Sequence, residues 1–230
     1  MRSTEEENSI LEQFLTPRGC LSYIVGDRVS GVAAIIDPSI EIENDAYKNF
    51  LQQHELSLSY IIDTHTHADH ISSSKELRAE GARIVMHTLA PSPRVDLRVN
   101  DGDTLAVGSL ELKFLAAPGH APDHVSLYVP QLETVFTGDT LLIGGTGRAD
   151  FSHSDPAALH ESLQKLLAFP AATRVYPGHE YKGRTRSTIG QERAKNPRLQ
   201  LSREEFIRHM REHRPPLPEL FEASLKANRE

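Results

Sequence analysis

A short segment at residues 64–70, THTHADH, carries three histidines and one aspartate: His65, His67, Asp69 and His70. It follows the apolar run YII at residues 60–62, a pattern typical of a buried strand that ends in a loop. In an extended segment alternate side chains share a face, so His65 and His67 can point at one centre. Imidazole nitrogens and carboxylate oxygens are ligands for first-row metals. The segment therefore predicts a metal centre at the end of a strand.

Further candidate ligands follow an apolar strand and a turn that contains glycine: His120 after Gly119, Asp139 after Gly138 and His179 after Gly178. Glycine suits these turns because the backbone passes close to a metal centre and can adopt positive φ there. Together the chain offers seven potential ligands. They could hold two ions with Asp139 bridging, which would produce a metal-bound hydroxide for hydrolysis, or a single ion. The spacing does not distinguish these arrangements.

The composition is that of a soluble globular protein of 230 residues, with 38% hydrophobic and 25% charged residues. The net charge of −7 argues against a partner that is nucleic acid or an anionic membrane surface. No apolar run approaches the roughly 18 residues of a membrane span, and the acidic start lacks a signal core. The single cysteine, Cys20, suits a reducing compartment. We therefore expect a cytoplasmic protein, in which an anionic substrate would need a local basic patch.

Strand and helix signals place the candidate ligands at strand ends. The pattern predicts a hairpin from residues 22–25 and 32–36, and successive strands between Val95 and Val135. Helices are expected at residues 44–54, 75–78, 156–167 and 185–195, and after a capping box formed by Ser202 and Glu205. A series of strands followed by a helix occurs twice along the chain. This order predicts an α/β fold of two packed sheets with helices outside, in one domain over residues 1–230.

The order HxHxDH, GH, GD, GH resembles the signature of the metallo-β-lactamase superfamily. This resemblance implies a four-layer αββα sandwich with the site at the sheet edges. Within that superfamily, the motifs THTHADH, FTGDTLLI, GTGRADF, YPGHEY and RTRSTIGQERAKNPRLQLSREEF resemble the persulfide dioxygenases of the type linked to ethylmalonic encephalopathy. The similarity runs nearly from end to end, and the last motif is the most discriminating because the superfamily signature does not require it.

The resemblance implies one Fe(II) ion per chain, bound by His65, His120 and Asp139. Such a triad leaves coordination positions open for a persulfide sulfur and for O2, as in other non-haem oxygenases. The implied reaction converts glutathione persulfide, O2 and water to glutathione and sulfite. The other candidate ligands would then orient the triad or hold water: His67, Asp69, His70 and His179.

By analogy with the related glutathione thioesterases, Arg148 and Tyr181 are expected to contact the substrate. The basic run from Lys182 to Arg186 is either a solvated loop or part of the same binding site. Proteins of this family are often dimeric, so a homodimer is expected. His124 is expected to be a polar residue at a strand edge and no metal ligand. The alternative function is a dizinc hydroxyacylglutathione hydrolase of the glyoxalase II type.

Overall fold

Two six-stranded sheets lie at the centre of the fold, and each is formed by a continuous part of the chain. The computed structural model describes residues 8–78 and 81–230. The first sheet contains, in spatial order, β1 (Ser9–Leu15), β2 (Leu21–Asp27), β3 (Val32–Ile36), β4 (Ser57–Ile62), β5 (Arg83–His87) and β6 (Leu97–Val99). Strands β1, β2 and β3 pair antiparallel, and those from β3 to β6 pair parallel.

The second sheet is mostly antiparallel. It contains, from one edge to the other, β7 (Thr104–Val107), β8 (Leu110–Ala116), β9 (Val125–Val129), β10 (Thr134–Gly138), β13 (Arg174–Pro177) and β14 (Ser187–Thr188). Among the described strands of this sheet, only β10 and β13 pair in parallel. A separate two-stranded hairpin is formed by β11 (Leu141–Leu142) and β12 (Gly145–Thr146).

Six α-helices flank the sheets within the described residues: α1 (Asn44–Gln53), α2 (Ser74–Arg78), α3 (Pro156–Leu167), α4 (Ile189–Lys195), α5 (Arg203–Glu212) and α6 (Phe221–Arg229). Short 3₁₀ turns occur at Pro130–Leu132 and Pro197–Gln200. No helix in the part of the chain that the structure describes is both long enough and apolar enough to cross a lipid bilayer.

Within the described residues, three of the four buried clusters arise from the alternation of side chains along the strands. Between the sheets, Tyr23 packs with Phe114 and Phe136. On the outer face of the first sheet, strand residues such as Ile24 pack with Tyr47 and others from α1 and α2. The outer face of the second sheet packs against α3 and α5. The layers are therefore helix, sheet, sheet and helix, which confirms the predicted αββα sandwich.

Most predicted elements are present, and their end signals act as expected. The Asp155 side chain accepts from two backbone N–H groups at the start of α3, and the capping box opens α5. The helix predicted over residues 185–195 begins later, because Ser187–Thr188 pairs with β13 as an edge strand. Strand β1 and helix α6 were not predicted. The sequence also indicates that α2 stops at Gly81, but residues 79 and 80, which precede this glycine, lie outside the described residues.

Candidate metal centre

The candidate ligands gather at one edge of the sandwich, where four strands end. His65 follows β4, His120 follows β8, Asp139 follows β10 and His179 follows β13. Residues at the carboxyl ends of neighbouring strands come together in folds of this kind. The first of these residues comes from one sheet and the other three come from the second sheet.

Three of these side chains form a compact buried group. The ligand atoms of His65, His120 and Asp139 all lie within 4.8 Å of one another. Nε2 of His120 is 3.6 Å from Oδ2 of Asp139. Nε2 of His65 is buried and has no hydrogen-bond partner among the residues that the structure describes. An unpartnered buried nitrogen beside a carboxylate and a second imidazole fits a bound cation.

Hydrogen bonds on the far side of both rings determine their tautomers. The Thr64 hydroxyl donates to Oδ2 of Asp37 at 2.9 Å, and it therefore accepts from Nδ1 of His65 at 3.0 Å. Nδ1 of His120 donates to the carbonyl of Arg148 at 2.9 Å. Burial lowers the pKa of His65 well below its ordinary value. With its proton on Nδ1, each ring can direct the lone pair of Nε2 to the centre, as a metal ligand must.

The Asp139 carboxylate is held as an anion by its neighbours. Its Oδ1 accepts from Nδ1 of His179 at 2.6 Å, which leaves Oδ2 on the side of His120. Burial acts to raise the pKa of Asp139, but His179 outweighs it and lowers that pKa to about 2. The backbone N–H of Asp139 donates to Nε2 of His124 at 2.9 Å. The carboxylate is therefore charged and fixed in orientation.

His67 lies outside this group, although an extended segment would direct it to the same centre as His65. Its Nε2 is 3.1 Å from Oδ1 of Asp37 and 3.8 Å from Oδ1 of Asp63. Burial and the neighbouring His70 oppose protonation, but these two carboxylates raise the pKa of His67. The reason for the difference is that β4 ends at Ile62, so the segment is no longer extended where His67 leaves it.

His179 also lies beside the triad with both ring nitrogens occupied. In addition to its bond to Asp139, its Nε2 donates to Oδ2 of Asp69 at 2.8 Å. Burial acts to lower the pKa of His179, but the two carboxylates raise it well above its ordinary value. Oδ2 of Asp69 is also 3.3 Å from Nδ1 of His70 and 3.2 Å from Sγ of Cys20. His179 is an imidazolium between two carboxylates and presents no lone pair to a metal.

Glycines allow the turns to approach the centre. Gly138 has φ +47°, and a Cβ there would lie 2.5 Å from Nε2 of His124. A Cβ on Gly178 would lie 2.6 Å from Oδ1 of Asp139. The predicted reason for these glycines, close approach of backbone to the ligand side chains, agrees with the geometry.

A cavity of about 450 Å³ leads from the surface to His120, Asp139 and His179. Tyr181 lies in its wall with 71% of its surface exposed, and its ring stacks on His179. Two cations that sequence reasoning missed, Arg18 and Arg198, also line it. Both are distant from the ligand motifs in sequence, so no local pattern indicates their place.

Arg148 lines the same cavity, but its guanidinium binds groups of the protein. Nε and Nη2 donate to the two carboxylate oxygens of Asp150 at 2.7 Å. Nη1 and Nη2 donate to the carbonyls of Pro216 and Pro215, both at 2.8 Å. The guanidinium also lies over the ring of Phe151. Arg148 therefore holds the proline segment that forms one wall of the cavity.

His124 was expected to be only a polar residue at a strand edge, but its contacts give it a further structural role. It directly precedes β9, as predicted, but it is buried, and burial lowers its pKa to about 3. As a neutral ring it accepts from the Asp139 backbone and so fixes the start of the turn after β10. The contact joins two turns of the second sheet, and the sequence alone does not predict which turns meet.

Comparison with known proteins agrees with this geometry. Residues 15–89 and 78–179 match the metallo-beta-lactamase superfamily. Persulfide dioxygenase ETHE1, mitochondrial, from Mus musculus is 38% identical over 224 residues, which cover 95% of this chain and 87% of the mouse protein. The chain belongs to the metallo-β-lactamase superfamily, in its persulfide dioxygenase branch.

Two further members of the superfamily show how this branch differs from others. The crystal structure of ETHE1 from Myxococcus xanthus has a TM-score of 0.92 at 38% identity, and the match covers 96% of this chain and 98% of that one. A hydroxyacylglutathione hydrolase from Brucella anthropi is 35% identical over 174 residues, which cover 74% of this chain and 65% of the hydrolase. The similarity to the dioxygenases thus extends over more of both partners.

Proposed function

We propose that this superfamily member is a persulfide dioxygenase that converts glutathione persulfide, O2 and water to glutathione and sulfite. The names of its mouse and other mammalian relatives support this activity. The structural observation that supports it best is the close grouping of His65, His120 and Asp139, whose ligand atoms all lie within 4.8 Å of one another. Such a group suits one ion with open coordination positions.

We propose that one Fe(II) ion per chain is the resident metal, held by Nε2 of His65, Nε2 of His120 and Oδ2 of Asp139. When bound, iron supplies the redox chemistry between the persulfide sulfur and O2. The chain's own groups prepare the site. Thr64 and the Arg148 carbonyl preset the two imidazole tautomers, and His179 holds the carboxylate. Because these groups are buried and already oriented, little reorganisation accompanies metal binding.

The cavity suits an anionic tripeptide. Its wall carries Arg18 and Arg198 in addition to the predicted substrate contacts, Arg148 and Tyr181. Arg198, which donates to the carbonyl and hydroxyl of Thr146, supplies positive charge for the local basic patch that the acidic net charge implies, whereas Arg18 pairs with Glu41 and Glu219. Tyr181 is exposed at the wall, where its ring and hydroxyl can contact a peptide. A persulfide that extends from this patch towards Asp139 would bring its sulfur to the triad.

The dizinc hydrolase is less well supported. Two ions would need His179 as a ligand, but both of its ring nitrogens are hydrogen-bonded to carboxylates. The hydroxyacylglutathione hydrolases also match less of this chain than the dioxygenases do. Both observations favour a mononuclear site.

Metal analysis paired with an oxygen electrode tests the proposal. The purified protein should contain one iron per chain, and it should consume O2 and release sulfite when glutathione persulfide is added. Hydroxyacylglutathione serves as the control substrate and should not be cleaved. Two zinc ions per chain, with thioester hydrolysis and no oxygen uptake, would refute the proposed dioxygenase.

Assembly and location remain separate predictions. A homodimer would appear as twice the chain mass in light scattering of the purified protein. The cytoplasmic location predicted from the sequence would be checked by fractionation of the source cells, and the mammalian relatives are named as mitochondrial.

A further inference from the structure

One side chain from the last helix reaches the segment that carries the ligand motif. Asn228, on α6, donates from Nδ2 to the carbonyl of His67 and to that of His70, both at 2.9 Å. Its Oδ1 accepts from the backbone N–H of Ser72 at 3.0 Å. These contacts join residues that are 156 to 161 positions apart in the chain. A single side-chain amide therefore holds both ends of the segment from His67 to His70 by hydrogen bonds.

The hydrogen-bonding geometry is suited to an amide and to no other common side chain. The carbonyls of His67 and His70 each need an N–H donor, and the backbone N–H of Ser72 needs an acceptor. A carboxylate of the same shape could serve only the last of these. Asn228 also lines a cavity of about 20 Å³ together with His65 and His67, which is room for one water molecule. The amide thus lies directly behind the ligand segment.

Helix α6 is anchored well enough to carry this role. Leu225 and Phe221 pack in a small apolar cluster with Ala68 and Phe151. The Phe151 and Phe221 rings are 4.9 Å apart. Ala68 belongs to the ligand motif itself, so the helix contacts the segment through both a polar and an apolar group. The position of Asn228 is therefore fixed relative to the loop it binds.

From this loop a chain of hydrogen bonds leads to the metal centre. Residues 67–72, which Asn228 holds, include Asp69, whose Oδ2 accepts from Nε2 of His179 at 2.8 Å. Nδ1 of His179 in turn donates to Oδ1 of Asp139 at 2.6 Å. The same loop begins two residues after His65. A shift of the loop would therefore disturb both the histidine and the carboxylate of the triad.

We propose that Asn228 is a positioning residue for the metal centre, acting through residues 67–72 on Asp69, His179 and Asp139. The inference rests on the proposed metal site at His65, His120 and Asp139. It assigns to the C-terminal helix a part in metal binding that the ligand motifs alone do not indicate. Outer groups that orient metal ligands typically change metal affinity by about ten- to a hundredfold.

Cobalt binding to the full chain tests this role without relying on turnover. The metal-free protein is titrated with Co²⁺ against a chromophoric chelator, and the visible absorption of the bound ion reports its geometry. Asn228→Ala should raise the Kd for Co²⁺ about ten- to a hundredfold and change the absorption spectrum. Asn228→Asp, which keeps the shape and the Ser72 contact but removes both donors, should do the same. Lys226→Ala, exposed on the same helix, is the matched control and should bind as wild type does.

The result that would overturn the inference is a folded Asn228→Asp protein with the wild-type Kd and spectrum. Circular dichroism and the melting temperature of the metal-free variants separate a fault in folding from a fault in the site. Failure of the proposed function is distinguishable. Wild-type protein that binds Co²⁺ through Asp139 but shows no oxygen uptake with persulfide would refute the dioxygenase and leave the role of Asn228 intact.

Discussion

Asp139 supplies the only negative charge of the proposed triad, and its charge is the property that an amide would remove. We expect Asp139→Asn to lower metal affinity by at least about tenfold, because loss of a ligand should cost no less than loss of a group that orients one. The variant would also break the pairing with the His179 imidazolium. Iron content after dialysis against a chelator is the measurement. Asp155→Asn is the matched control, since asparagine caps α3 as well as aspartate does. Wild-type iron retention in Asp139→Asn would contradict the assignment.

Arg148 acts at the cavity wall through hydrogen bonds that lysine cannot reproduce. A lysine would offer one compact charge in place of a planar fork, so Asp150 and the carbonyls of Pro215 and Pro216 would lose donors. We expect Arg148→Lys to raise KM for glutathione persulfide about tenfold, or about 1.4 kcal/mol, with a smaller change in kcat. Steady-state oxygen uptake measures both constants. Arg208→Lys on the exposed face of α5 should leave them unchanged, and an unchanged KM in Arg148→Lys would refute the role.

Local signals in the sequence predict which residues could bind a metal but not which of them do. Ligand types and the glycines before them are local, so the motif positions and the turns at Gly138 and Gly178 were predictable. The partners that select among the ligands are remote. Asp37 draws His67 away from the centre from 30 positions earlier, and His124 accepts from Asp139 across two turns. Pairings of this kind depend on which strands become neighbours, and a single sequence does not encode that in any local pattern.

At the scale of elements, the turn from β8 to His120 is pressed against helix α3. Gly119 has φ +138°, and a Cβ there would lie 2.3 Å from the backbone of Leu159. We expect Gly119→Ala to destabilise the protein by about 2–4 kcal/mol, because it adds backbone strain to a steric clash that must displace α3 or His120. Denaturant unfolding gives the free energy, and metal content shows whether His120 has moved.

A second glycine separates the two contributions. Gly102 also has positive φ, +86°, but a Cβ there would meet no atom of the described residues within 4 Å. Gly102→Ala should therefore cost only the backbone strain, about 1–2 kcal/mol, and leave the metal content unchanged. Equal losses in the two variants would show that the contact with α3 contributes nothing.

Strand β1 and helix α6 were not predicted because their sequence signals are weak. Strand β1 has a mixed pattern in which only Ile10 is fully buried, so its periodicity is weak. Helix α6 follows three prolines and carries few apolar residues. Its place is decided by contacts with the ligand loop rather than by its own sequence. Strong stripes and caps, as in α3 and α5, were predicted with nearly correct bounds.

At the scale of the whole molecule, Asp27 ties one sheet to the other. It ends β2, and its Oδ2 accepts from Ser30 Oγ and from the backbone N–H of Ser109, in the turn between β7 and β8. Burial acts to raise the pKa of Asp27, but the hydrogen bonds from Ser109, Ser30 and Val29 lower it. A carboxylate with a lowered pKa contributes stability above its unfolded value of about 3.9 and loses it as the pH falls through the folded value.

We therefore expect Asp27→Asn to lower the free energy of unfolding by about 1.5–3 kcal/mol near neutral pH, where the charged acceptor is lost. The difference from wild type should shrink as the pH falls below about 4, because the wild-type carboxyl is then protonated as well. Urea unfolding at a series of pH values measures it. Asp45→Asn, exposed in the first turn of α1, should lower the free energy by less than about 1 kcal/mol, since only its interaction with the helix dipole is lost. A difference that grew towards low pH would contradict the assignment.

The two sheets arise from separate stretches of chain, residues 9–99 and 104–188, and the proposed triad takes His65 from the first and two ligands from the second. Neither stretch alone could grip an ion with all three groups. A bound cation would then cross-link the two sheets of the sandwich. Removal of the ion by a chelator, or weaker binding through a change at Asn228, should therefore lower the stability of the contact between the two sheets. Adding the ion back should restore that stability.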